Sequence, residues 1–179
     1  MPLARHRSLI LPLLACLTFI GCRPDKRAPI DPATLQTPAA EAALRYMLEH
    51  CPKRAEAKLA VIGIGEILAA PLPEFVERFK DVQGLTFIDH RRVVAGMVDG
   101  KSRRFDESSG EPVLELQIGT LSEPKDGVQE AVAAWAFKDD AERKRLELKS
   151  KTEGGYEIRE LETIPIPHRN DDTSRAAGK

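Results

Sequence analysis

Sulfur is scarce in this chain: three cysteines, Cys16, Cys22 and Cys51, in 179 residues. Two of them belong to the N-terminal apolar region, so Cys51 is left without a partner and neither a disulfide framework nor a cysteine metal site can be built. The signatures of nucleophilic and phosphate chemistry are missing as well, with no Gly-x-Ser-x-Gly, no His-Glu-x-x-His and no phosphate-binding loop. Nothing in these patterns calls for a cofactor or a metal. An excess of positive charge is also lacking, since 27 basic residues face 28 acidic ones. A chain so balanced has no field for a phosphate backbone, which excludes nucleic acid as the expected partner. Finally, the longest apolar run, Leu9 to Ile20, falls short of the roughly 20 residues that span a bilayer. Pro12 interrupts it and Arg23 closes it.

What that run does have is the order of an export signal: Arg5, His6 and Arg7, then the apolar stretch, then Gly21 and Cys22. The end, Phe19-Ile20-Gly21-Cys22, resembles the lipobox of bacterial lipoproteins, with Phe19 where that family prefers Leu. The resemblance implies that the Cys22 sulfur receives a diacylglycerol, that cleavage falls between Gly21 and Cys22, and that the new amine is acylated too. Leu13-Leu14-Ala15-Cys16 is a second candidate, closer at the Leu position but preceded by a much shorter apolar run. An ordinary signal peptide cut nearby is the remaining alternative. Loss of residues 1–21 removes Arg5 and Arg7 and no acid, leaving a mildly acidic mature chain. In Gram-negative members Asp after the lipidated cysteine retains a protein at the inner membrane. Arg23 here implies the outer membrane, with the domain facing the periplasm.

The rest divides into a proline-rich tether over residues 22–36, one domain over 37–167 and a polar tail over 168–179. Pro24, Pro29 and Pro32 favour an extended spacer. The tail has too little apolar surface to offset its ordering entropy. In the domain, Thr37 and Pro38 read as cap and first position of a helix running to His50, with Leu44, Met47 and Leu48 on one face. His50 would sit in its last turn, where a protonated imidazole complements the helix dipole. Lys58 to Leu68 reads as a buried strand, and Gly63-Ile64-Gly65 lacks the third glycine and following helix of a dinucleotide loop. Glu74 to Asp81 reads as a short helix presenting Phe75, Val76 and Phe79. Strand-like segments follow at Leu85–His90, Arg92–Val98, Pro112–Leu121, Val132–Phe137, Arg143–Lys149 and Tyr156–Ile166. Their alternation predicts an α+β fold: an N-terminal helix and a short second helix packed on a curved antiparallel sheet of about five or six strands.

The run Ala60-Val61-Ile62-Gly63, Pro71 to Phe75, Gly84-Leu85, the Asp106-Glu107-Ser108-Ser109-Gly110 turn, Leu116-Gln117-Ile118-Gly119 and the closing Gly-Gly-Tyr-Glu-Ile strand resemble a family of small exported bacterial proteins. Their sheet is similar in element order to the NTF2-like, cystatin-like α+β domains. That resemblance implies a fold and no particular chemistry. Asp89, His90 and Arg92 form the densest polar cluster inside strand-like sequence and are the candidate pocket residues. Neighbours on a strand face opposite ways, so Asp89 and His90 are expected not to pair. Asp106, Glu107 and Glu111 lack the spacing of a calcium loop and read as a solvated hairpin tip. Lys138 to Arg145 reads as a charged turn in water. Cys51 reads as a buried thiol. The functional expectation is a lipid-anchored envelope domain that binds or scaffolds a protein partner, or else carries a small-ligand or enzymatic pocket.

Overall fold

A computed structural model describes residues 31–166. Cys22, Gly21, most of the tether and the polar tail lie outside them. The packed unit begins earlier than residue 37: Asp31 caps a 3-10 turn over Pro32–Leu35, its carboxylate accepting from Ala33 N at 2.9 Å. Leu35 is buried in the core. Asp31 to Gln36 therefore belong to the packed unit and not to the expected spacer, fastened by the Asp31 cap and by Leu35.

The first helix, α1, spans Pro38–Glu49, with the Thr37 hydroxyl accepting from Ala40 N and Pro38 in the first turn. Its buried face comprises Ala39, Ala40, Ala43, Leu44, Met47 and Leu48. The remaining elements are β1 (Leu59–Ile64), α2 (Pro73–Glu77), β2 (Thr86–Phe87), β3 (Val93–Val98), β4 (Lys101–Asp106), β5 (Val113–Leu121), β6 (Val128–Phe137), β7 (Asp140–Ser150) and β8 (Tyr156–Ile164). Six strands form one sheet in the order β2-β1-β5-β6-β7-β8, and β3 and β4 form a separate hairpin.

The fold is thus mixed α+β with two helices and a six-stranded sheet, but the sheet is not wholly antiparallel. β1 runs parallel to both β2 and β5, whereas β5 to β8 are antiparallel. The segment carrying α2 serves as the crossover that a parallel pair requires. Every residue of β1 after Leu59 is buried, as befits a strand covered on both faces. On one face Ala60, Ile62 and Ile64 join Leu114, Leu116, Ile118, Trp135, Phe137, Leu146 and Leu148 beneath α1. On the other, Val61 packs with Ile88 and Val113. Phe75 and Phe79 close the first core at the α2 side, their rings 5.7 Å apart, edge to face.

One expected strand changes character and one strand is new. Leu85–His90 shrinks to β2, after which Asp89 caps a 3-10 turn over His90–Arg92. The unexpected β4 pairs with β3 through the turn at Asp99 and Gly100, both at positive φ. β1 ends at a turn in which Gly65 and Leu68 have φ of 71° and 55°. A left-handed leucine costs about 1–2 kcal/mol, and the packing at Gly63 shows why it is tolerated: a Cβ there would fall 2.6 Å from the Leu68 side chain. Gly63 makes room for Leu68, and that is its role in Gly-Ile-Gly.

Candidate functional site

On the outer edge of β1 the ladder is interrupted. Thr86 N donates to Lys58 O and Ile88 N to Ala60 O, both at 2.9 Å, and further along Ile64 and Ala69 exchange bonds of 2.9 and 2.8 Å. Ile62 lies between these positions, so by the alternation of the ladder its backbone N–H and C=O face the gap. A groove of about 290 Å³ occupies it. Val61 and Ile62 form its floor, Ala70, Pro71, Pro73, Val76 and Glu77 one wall, and Phe87 to Arg91 the other. The prolines explain the first wall: Leu72 is extended (φ −65°, ψ 145°) and Pro73 starts α2. The second wall is set by Asp89, whose Oδ1 accepts from Arg91 N at 2.8 Å.

Two of the three candidate residues therefore meet at one groove. Asp89 and His90 do not pair, as expected, because the Asp89 carboxylate serves as the turn's cap. His90 Nε2 is buried and has no hydrogen-bond partner among the described residues. A buried ring nitrogen without a partner costs free energy, which a ligand supplying that bond would recover. Sequence reasoning missed the apolar lining; the only signal for it was the Pro71/Pro73 pair ahead of Phe75.

Arg92, the third candidate, turns away. Its Nε and an Nη each donate to Asp106 at 2.9 Å, and Ser109 adds its N at 3.1 Å and its hydroxyl at 2.8 Å. Asp106 is 0% exposed, so at this residue the expected solvated tip is instead a buried clamp holding the two ends of the β3–β4 hairpin together, whereas Glu107 to Gly110 are exposed as expected. The Arg92 guanidinium, aided by Ser109, holds the Asp106 carboxyl at about 2. A carboxylate buried and held by four hydrogen bonds in this way serves the fold. Glu111 is engaged by Lys58 at 2.9 Å. Among the described residues no group of three His, Cys, Asp or Glu side chains could hold a metal ion.

A second polar constellation is structural for the same reason. Trp135 Nε1 donates to Glu142 at 3.1 Å, while Lys144 reaches Glu160 at 2.7 Å and Glu142 at 3.5 Å. Lys144 is buried rather than in a turn exposed to water. Burial opposes its charge, yet the Glu160 and Glu142 carboxylates outweigh that and raise its pKa. The network ties β7 to β8. His50 caps α1, its Nδ1 2.8 Å from Tyr46 O and its ring stacked on Tyr46. Cys51 is free and buried, and desolvation pushes its thiol up. It should react with a thiol reagent only after denaturant is added. Prompt stoichiometric labelling of the native protein would contradict that burial.

No helix among the described residues is long and apolar enough to cross a membrane. Comparison with protein-family models, with curated proteins and with solved structures found no match.

Proposed function

We propose that this chain is a lipid-anchored domain of the bacterial cell envelope that binds an extended segment of a partner protein at the groove beside β1. Acylation of Cys22 would tether it, facing the periplasm and favouring the outer membrane. The observation that carries the binding site is the interrupted ladder at Ile62, flanked by one largely apolar wall and one that mixes Phe87 and Ile88 with Asp89, His90 and Arg91. A strand edge with free backbone groups and neighbouring side-chain pockets is the arrangement used in strand addition. The face under α1 is filled by Trp135, Phe137 and the helix, so the groove lies at the strand edge and not on that face.

One observation favours the other reading, a small-ligand or enzymatic pocket: His90, whose buried Nε2 has no partner among the described residues, borders a cavity close to the size of ordinary ligand sites. In-cell photocrosslinking separates the two. A photoreactive residue at Val76 should give one discrete protein adduct that His90→Phe abolishes and that the same probe at Glu56, remote from the groove, does not give. A pattern common to both positions would sink the groove. A small molecule retained by the purified protein and lost on His90→Phe would establish the ligand pocket instead.

A further inference from the structure

The run Ile67-Leu68-Ala69-Ala70-Pro71-Leu72-Pro73 carries no charge and no hydrogen-bonding side chain. Its inward members are accounted for by the β1 edge, the groove and Gly63. Ile67 and Leu72 are not: they are 84% and 54% exposed and line no part of the groove. The loop is also held rigidly. Ala69 is bonded to Ile64 on both sides, prolines flank Leu72, and Leu72 N donates to Gln36 Oε1 at 2.6 Å.

That last bond locates the patch. Gln36 closes the Asp31–Leu35 turn, its Nε2 reaching Pro32 O at 3.2 Å, and Leu35 roots the turn in the core. The apolar loop is therefore fastened to the point where the chain enters the domain. From Cys22 to Asp31 the intervening chain spans at most about 30 Å when fully extended. On the reading that Cys22 is acylated, the end of the domain bearing Ile67 and Leu72 is the end held nearest the bilayer.

We propose that Ile67 and Leu72 seat in the headgroup boundary of the membrane that carries the anchor, fixing the domain's orientation on it. Two apolar side chains partition too weakly to hold a free protein, but tethering makes the contact intramolecular and raises the effective lipid concentration. Glu66 and Glu74 bracket the run and give no attraction to anionic lipid. The contact is thus apolar in origin and insensitive to salt, unlike a polybasic one.

The test rests on the acylation reading and separates its failure from that of the loop. The full-length protein, processed in its host and carrying Cys51→Ala, receives a fluorophore at Ile67→Cys, Leu72→Cys or, as control, Glu56→Cys beside Lys138 near the far end of α1. Each is placed in phosphatidylcholine vesicles containing spin-labelled lipid, and the mass of the N-terminal peptide is measured on the same sample. Labels at 67 and 72 should lose roughly half or more of their emission, in low and high salt, while 56 keeps it. Equal quenching at all three positions in a chain whose N-terminus bears lipid overturns the loop contact and leaves the anchor standing. Labels shielded from an aqueous quencher yet untouched by spin-labelled lipid also overturn it, placing protein over the patch. An N-terminal peptide without lipid removes the anchor and this inference together.

Discussion

Asp106→Ala lowers the thermal midpoint of the domain by roughly 10 °C, more than any surface substitution is expected to do. The carboxylate is wholly buried, takes both donors of Arg92, and accepts from the Ser109 amide and hydroxyl. Truncation leaves the Ser109 amide without its acceptor and frees the start of β3 from the end of β4. Arg92→Ala should cost about as much for a different reason, since it strands a buried negative charge. The double variant has neither stranded group, so its loss should be smaller than the sum of the two. The pH dependence has a definite sign. The folded carboxyl titrates at about 2 against 3.8 for an unperturbed one, so its contribution is present above 3.8 and is lost as pH falls through 2. The gap between wild type and Asp106→Asn, followed by circular dichroism, should therefore close between those values. A midpoint for Asp106→Ala within roughly 2 °C of wild type would remove the clamp from the account.

That clamp marks a boundary of what the amino-acid sequence discloses. The helix α1 is legible because its signals are local: a capping threonine, a proline at the first position and an apolar stripe at three- and four-residue spacing. β5 and β7 are legible because polar and apolar residues alternate along them. β4 is not, because Lys101-Ser102-Arg103-Arg104-Phe105-Asp106 has neither alternation nor apolar mass. It is a strand through pairing with β3 and through ion pairs such as Arg103 with Asp139, at 2.9 and 2.7 Å. Strand preference is mostly of this tertiary kind. The direction of β1 was readable in principle, since an unbroken apolar run points to burial on both faces and so to parallel neighbours. Treating it as part of an antiparallel sheet overlooked that sign.

The candidate site divides along the same line. Asp89 and His90 are conspicuous as polar residues within an apolar stretch, and they do border the groove. Arg92 looks equally conspicuous in sequence, yet its place two residues beyond His90 in the 3-10 turn aims it at Asp106, fourteen positions on. The groove itself exists because β2 is short and the proline loop stands off from Ile62, which no local pattern encodes. Replacing Val76 by a charged residue would test this wall without disturbing the Phe75 and Phe79 side chains that support it.

On the proposed acylation of Cys22, exporting the domain without that sulfur and without the apolar run should shift the protein between cellular fractions almost completely. If Cys22 carries two or three acyl chains, each buried methylene contributes about 0.8 kcal/mol, and two chains hold where a single chain holds only marginally. Against that scale the contact of Ile67 and Leu72 is small and cannot retain the domain alone. A plain Cys22→Ala exchange is a poor instrument, because on the proposed lipoprotein reading cleavage would wait on acylation: an uncut chain would keep the apolar run from Leu9 to Ile20 and stay with the membrane as a heavier precursor. The informative variant replaces residues 1–22 with an ordinary cleavable secretory signal ahead of Arg23. It delivers the same domain outside the cytoplasm without the sulfur, and the protein should then appear in the soluble fraction. Cys16→Ala in the native chain should change neither size nor fraction, which separates the two candidate cysteines. Should the version lacking residues 1–22 sediment with membranes as fully as the native protein, the domain itself must hold the bilayer, and the short tether would lose its part in orienting the Leu72 loop.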